Sequence, residues 1–278
     1  MKIFVLGGHG RLGQRLVPLL AKAGHQVSDP TREQCDATNA ESVSLFLESS
    51  SYDLVISLVG YTDVLGCDTN PDRALSENEE SPKIVGGVCR DKSIPWVWIS
   101  TDYVVPAAAM IPAGTKPIFL DQRAHDRLHG EYASSKAFGE ENALTFGATV
   151  ARVAFCCPED AEKWTWVDGY NIASREWVEQ TAERLALLAP LAAKGWNAGK
   201  VVNVGPIVGV DDVFDEDDCG SRLGLWRTRD QLLRDRFPDH PALKDIVRSP
   251  SERFERGGGY GPSDTRFARC APELALVR

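Results

Sequence analysis

The stretch Met1-Lys2-Ile3-Phe4-Val5-Leu6-Gly7-Gly8-His9-Gly10-Arg11-Leu12-Gly13 decides the fold. Its opening residues are apolar over the length of one buried strand, and four glycines within the next seven positions make a tight turn. Leu12, Leu16, Leu19 and Leu20 then share one face of a helix. Strand, glycine turn and helix form the unit that holds a dinucleotide in open α/β proteins. Glycine permits both the turn and the close approach of a pyrophosphate to the N–H groups and positive dipole at the helix start. Gly8-His9-Gly10-Arg11-Leu12-Gly13 satisfies G-x-G-x-x-G, while Gly7, Gly10 and Gly13 satisfy the variant with two residues in the first gap, and spacing leaves both open.

The alternation continues downstream. Strands are expected at His25 to Ser28, Leu54 to Val59, Pro95 to Ser100, Ala148 to Val153 and Lys200 to Val204. Helices are expected at about Ala40 to Leu47, through Lys83-Ile84-Val85, at Tyr132 to Leu144 and at Arg175 to Leu188. This order predicts an α/β fold, a doubly wound parallel sheet of the Rossmann type with helices on both faces. After Cys157 the rhythm weakens, and Gly205 to Gly220 and Gly257 to Pro262 read as loops. The low-complexity tract Pro106 to Gly114 lies between the fourth strand and its helix, where a long connection points to a lid.

Composition bounds the partners. The 278 residues are 43% hydrophobic and 26% charged, the balance of a globular protein, and no window approaches the length of a membrane span. A net charge of -9 argues against nucleic acid, whose phosphates call for clustered Lys and Arg. The seven cysteines are scattered without metal-ligand spacing and read as reduced thiols of a cytoplasmic protein, so no metal is expected. The apolar N-terminal run is too short for a signal peptide. The acidic run Asp211 to Asp218 lacks the glycine turn and ligand spacing of a calcium loop and reads as solvated. His9, His125 and His129 flank the expected site without the order of a hydrolytic triad, and Trp164, Trp166 and Trp177 read as packing.

Two further patterns carry chemistry. Some 20 residues beyond a glycine turn, a carboxylate binds the ribose 2′-hydroxyl of NAD, whereas an Arg suits the 2′-phosphate of NADP. Asp29, Thr31, Arg32 and Glu33 compete for that place, with Asp36 a further contact on the adenine side. Tyr132-Ala133-Ser134-Ser135-Lys136 puts a phenol and an ammonium four positions apart, hence on one helix face. Reducing a ketone requires a proton for the alkoxide, and a phenol of pKa near ~10 is a poor donor at neutral pH. A cation at about 5 Å and an effective dielectric near 20 contributes ~3 kcal/mol, roughly 2 pK units, which brings the phenol near working pH. Ser100 and Thr101, at the end of the fourth strand, can orient the carbonyl oxygen where ligands sit in a parallel sheet.

On these residues the chain resembles the extended short-chain dehydrogenase/reductases, and among them the dTDP-4-dehydrorhamnose reductase-like family. The resemblance rests on Gly7 to Gly13, Thr31 to Asp36, Gly60-Tyr61-Thr62-Asp63-Val64, Asn78, Ile99 to Val104, and Tyr132 to Lys136 with Gly139-Glu140. Weaker echoes lie at Val167 to Tyr170 and Ser263-Asp264-Thr265. It implies a catalytic triad of Thr101, Tyr132 and Lys136, with Lys136 also holding the nicotinamide ribose. It implies cofactor contacts from Gly7, Gly10, Arg11, Leu12, Gly13, Thr31, Arg32, Asp36 and Gly60 as well as Tyr132 and Lys136. Because Thr31-Arg32 falls in the NADP register, the expected cofactor is NADPH, with NADH left open. The implied activity is carbonyl reduction of a 4-keto-6-deoxy nucleotide sugar, and a homodimer stays open as the assembly. Residues 1–155 are expected to form the dinucleotide-binding domain with the catalytic residues, and 156–278 a mixed substrate-binding region that partly returns to it. Three departures stand out: Ser57 replaces the family's usual Asn at the end of the third strand, Val105-Pro106 replaces its Phe and Gly, and Ala133 replaces a common Gly. A reductase or epimerase for another carbonyl compound, or a silent NADP(H)-binding relative, is the alternative.

Overall fold

The computed structural model describes residues 1–104, 130–168, 176–205 and 229–247. The tract at 106–114, His125, His129, Gly169-Tyr170, the acidic run at 211–218 and Ser263-Asp264-Thr265 lie outside the described residues. The first half of the chain runs β1 (Lys2–Leu6), α1 (Gly13–Lys22), β2 (Gln26–Ser28), α2 (Ala40–Glu48), β3 (Leu54–Ser57), α3 (Val64–Thr69), α4 (Pro71–Ala74), a π-helical turn (Leu75–Glu80), α5 (Ser81–Asp91) and β4 (Trp96–Thr101). It continues with α6 (Glu131–Thr145), β5 (Thr149–Val153), β6 (Phe155–Cys156), α7 (Pro158–Ala161), β7 (Val167–Asp168), β8 (Glu176–Trp177), α8 (Val178–Ala192), β9 (Lys200–Val204), α9 (Arg229–Arg236) and β10 (Ile246–Val247).

Six strands form one sheet in the order β2-β1-β3-β4-β5-β9, every neighbouring pair parallel. Successive side chains of a strand point to opposite faces, and the two cores separate on that rule. Ile3 and Val5 pack with Leu16 and Leu20 of α1 and Leu185 and Leu188 of α8. Phe4 and Leu6 pack on the other face with Val43 and Leu47 of α2, Val85 of α5 and Ala143 of α6. Strands covered on both faces need near-continuous apolar runs, which is why Leu54 to Ser57 and Trp96 to Thr101 are buried throughout. Each fully buried Leu or Phe contributes about 2 kcal/mol, so the sheet is held chiefly by its two helical layers. The chain leaves β1 toward β2 on one side, and β3 lies on the other; this reversal opens a crevice at the carboxyl ends of the strands.

The expected strands and helices are present, with shifted ends. The helix anticipated from Arg175 begins at Val178, because Glu176 and Trp177 pair with Phe155 and Cys156 as a short parallel ladder. Buried Glu176 accepts hydrogen bonds from Thr181 Oγ1 and Arg184 Nε, both at 2.8 Å, while the Gln180 side chain accepts from the Trp177 N–H. These anchors hold the two residues extended and start the helix after them. Together with β7, β10 and α9 they build a smaller core in which Trp177 meets the Phe237 ring edge-on at 5.8 Å. The chain then returns to the main sheet through α8, which lies against α1, and through β9, which pairs with β5.

Candidate active site

The glycine turn forms one wall of a cleft of about 760 Å³ at the carboxyl ends of β1 and β4. Gly7 adopts φ +77°, a left-handed conformation that admits glycine without strain, and its carbonyl accepts the Gly10 N–H at 3.0 Å. A Cβ on Gly13 would stand 2.3 Å from the Gly8 carbonyl oxygen, so α1 packs onto the turn only because none is there. Of the two registers that spacing leaves open, the structure favours the one led by Gly7. Gly7, Gly10 and Gly13 line the cleft, while Gly8 is turned toward Asp29 and Val17. Arg11 and Leu12 complete this wall. No side chain caps the start of α1; within its first turn the Gln14 and Arg15 N–H groups donate to the Gly10 and Leu12 carbonyls at 2.9 and 3.1 Å.

Gly60, Thr101, Tyr132 and Lys136 line the same cleft. Lys136 is fixed from three sides. Its Nζ donates to the Ile99 carbonyl at 2.7 Å, lies 3.8 Å from the centroid of the Trp98 ring, and faces the Cα of Gly60, where a Cβ would come within 3.6 Å. Burial lowers the Lys136 pKa to about 7, and the carboxylate of Glu140 partly offsets this. The Tyr132 ring meets Tyr103 edge-on at 5.4 Å and packs with Cys67, whose thiol burial pushes up to about 11, so it serves there as an apolar neighbour. Thr101 Oγ1 accepts the Tyr103 N–H at 3.2 Å. The Ser100 hydroxyl is buried without a hydrogen-bond partner beside it, as is that of Ser57 at the end of β3.

Expected residues on the adenine side sit apart from this cleft wall. The Thr31 N–H donates to Gln34 Oε1 at 2.9 Å, and the Asp36 carboxylate accepts from the Thr38 N–H and hydroxyl at 2.9 and 2.8 Å. Burial pushes the Asp36 carboxyl up, but those two bonds hold it below its ordinary range. Arg32 Nη1 donates to Glu77 Oε1 at 2.9 Å. His9 borders Asp29, its Nε2 2.9 Å from the Asp29 carbonyl oxygen. Among the described residues no group of His, Cys, Asp or Glu could hold a metal ion, and no helix is long and apolar enough to cross a membrane.

Three contributors had no role from sequence reasoning. Asn78, fully buried in the π-helical turn, accepts the Tyr61 N–H at 2.8 Å and donates to the Tyr61 carbonyl and Ser135 Oγ, tying the loop after β3 to α6. Trp98 supplies its ring face to Lys136. Glu140 receives two hydrogen bonds from Arg152, at 2.7 and 2.6 Å, in a buried pair. The signal for Glu140 was its spacing, since Tyr132, Lys136 and Glu140 recur every four residues along α6. Asn78, within Leu75-Ser76-Glu77-Asn78-Glu79-Glu80, has no such spacing, and the family resemblance that includes it gave it no role.

A parallel, doubly wound sheet whose glycine turn shares a cleft with a Tyr-x-x-x-Lys pair and a hydroxyl-bearing strand end defines a Rossmann-type protein of the extended short-chain dehydrogenase/reductase kind. The chain belongs to the RmlD substrate binding domain family, whose model matches residues 1–161. It is 35% identical over 145 residues to the "Probable low-salt glycan biosynthesis reductase Agl14" of Haloferax volcanii, covering 48% of each chain. It is 26% identical over 202 residues to a dTDP-4-dehydrorhamnose reductase of Streptomyces griseus, covering 69% of this chain and 66% of that one. For several of these relatives the chain spans about half their length. The fold is that of a dTDP-4-dehydrorhamnose reductase from Clostridium acetobutylicum, with a TM-score of 0.74 at 16% identity over 100% of this chain and 92% of that one. A dTDP-4-dehydrorhamnose reductase of Bacillus anthracis, solved in complex with NADP, superposes with the same TM-score at 14% identity, over 99% and 92% of the two chains.

Proposed function

We propose that the protein is an NADPH-dependent carbonyl reductase acting on a 4-keto-6-deoxy nucleotide sugar. The observation that carries this reading is the meeting of Thr101, Tyr132 and Lys136 with the glycine turn in one cleft. The cleft fits a dinucleotide: a turn stripped of Cβ atoms and an uncapped helix start suit a pyrophosphate, and Lys136 lies deep on the opposite wall. Gly7, Gly10, Arg11, Leu12 and Gly13 would hold the pyrophosphate, Gly60 and Lys136 the nicotinamide half, and Thr31, Arg32 and Asp36 the adenosine half. The bound cofactor supplies hydride.

The protein's own work is to position the carbonyl and manage its proton. Thr101 donates a hydrogen bond to the carbonyl oxygen and Tyr132 delivers its phenolic proton to that oxygen as negative charge develops. Lys136 in its ammonium form lowers the cost of the phenolate left behind. Glu140, held by Arg152, favours that ammonium form. Residues 156–278 are proposed to supply the substrate side, from which Arg229 lines the cleft. The names of the relatives in this family support the nucleotide-sugar class.

The test is oxidation of NADPH followed with a panel of 4-keto nucleotide sugars. Tyr132→Phe is expected to lower kcat by ~10²–10⁴ while NADPH affinity stays within a few-fold, and a variant retaining more than about a tenth of wild-type kcat removes Tyr132 from the proton transfer.

A further inference from the structure

We propose that Glu77 is the residue that sets NADP over NAD, by holding Arg32 ready for the 2′-phosphate. This inference rests on the dinucleotide reading above. Glu77 lies in the π-helical turn, one residue before Asn78, with only 9% of its side chain exposed. Its Oε1 accepts from Arg32 Nη1 and from Arg73 Nε, each at 2.9 Å. Arg73 in turn stacks over the Tyr61 ring, 4.1 Å from guanidinium carbon to centroid, beside the loop that Asn78 braces.

This arrangement has four physical consequences. Arg32 is 60% exposed, so an untethered side chain would have to give up its rotamer freedom when a phosphate arrived; the bond to Glu77 has already removed much of it. Glu77 engages one of the five guanidinium donors, leaving the rest of the planar fork available for phosphate oxygens. The carboxylate does not cancel the site's attraction for an anion, because Arg73 shares it, and two guanidiniums against one carboxylate leave the trio positive. A released Arg32 has other destinations: the carboxylates of Glu33 and Asp36 both feel its charge. Removing Glu77 therefore frees Arg32 to fold onto them, away from the ligand.

The experiment measures dissociation constants of NADP⁺ and NAD⁺ by calorimetry for the wild type and Glu77→Gln, and reads their ratio, which cancels any general weakening. The preference for NADP⁺ is expected to fall about fivefold in Glu77→Gln, with NAD⁺ affinity within about twofold of wild type. In the Arg32→Ala background, Glu77→Gln is expected to change the ratio no further. An undiminished wild-type preference in Glu77→Gln, or an equal added loss on top of Arg32→Ala, overturns the inference alone. Equal wild-type affinity for the two dinucleotides overturns the NADP reading and this inference with it. If Glu77→Gln does not fold, Glu77→Asp withdraws the carboxylate by one methylene and is read by the same ratio: a reduced preference for NADP⁺ supports the inference, and an undiminished one overturns it.

Discussion

Lys136 must act as a cation in a position that disfavours cations. Burial lowers its pKa to about 7, against ~10.4 in an unfolded chain, and Glu140 recovers only part of the difference. Between those values the unfolded chain holds the proton and the folded one releases it, so the unfolded state binds more protons and stability rises with pH. Below about pH 7 both states are protonated and the full unfavourable contribution is present. Lys136→Met has no such dependence. The melting temperature of the wild type is therefore expected to climb relative to Lys136→Met as pH is raised from about 6 to about 10, and parallel curves would show that Lys136 does not titrate in that window. The same residue illustrates what is legible in a sequence: the four-residue spacing from Tyr132 is visible there, but the Trp98 ring beneath Lys136 comes from a strand 38 positions earlier.

At the scale of elements, α6 is the part on which the site depends. Its stripe of Tyr132, Lys136 and Glu140 is buried, an unusual content for a helix face, and is tolerable because each polar group has a partner. The bidentate Glu140–Arg152 pair bridges α6 to β5 with both side chains almost wholly buried. Deleting one member of such a pair strands a charge in the interior. Glu140→Gln is expected to lower the unfolding free energy by ~3–5 kcal/mol, measured by urea denaturation, and to lose less when combined with Arg152→Met. A single-variant loss under about 1 kcal/mol would mean that Arg152 finds enough compensation elsewhere. The π-helical turn facing α6 shows the opposite limit of legibility. A run of Ser, Glu and Asn has no apolar periodicity to mark it, yet the Glu77 and Asn78 side chains are buried, Glu77 holding half-exposed Arg73 and Asn78 bonding to buried Ser135.

For the molecule as a whole, the decisive geometry is the meeting of chain-distant segments at one crevice. Arg11 pairs with Asp160 and Arg15 with Glu159, joining the start of α1 to α7 across the edge of the cleft. Arg11 is 65% exposed, and pairs of that kind contribute at most ~1 kcal/mol, so Asp160→Asn is expected to leave the melting temperature nearly unchanged. A ligand that bridges both walls should do far more. NADP⁺ at 100 times its dissociation constant is expected to stabilise the fold by ~2.7 kcal/mol, read as a rise in melting temperature, and the absence of any rise would rule out specific binding to the folded chain.

The sequence by itself determined the six strands and their alternation with helices, the position of the glycine turn and the Tyr132–Lys136 pair, because all of these are written as local periodicity or fixed spacing. Only the tertiary structure decided which glycine leads the turn, since this depends on Gly13 packing against Gly8 and on Gly8 facing Asp29. Only the tertiary structure put the Trp98 ring against Lys136, brought Arg152 to Glu140 and bound Arg32 to Glu77, 45 residues apart. It also drew Glu176 and Trp177 out of a helical pattern into a ladder with Phe155 and Cys156. The physical reason is the same throughout: a buried charge or hydrogen-bonding group must find its partner wherever the fold brings one, and nothing in the local pattern of residues says where that will be.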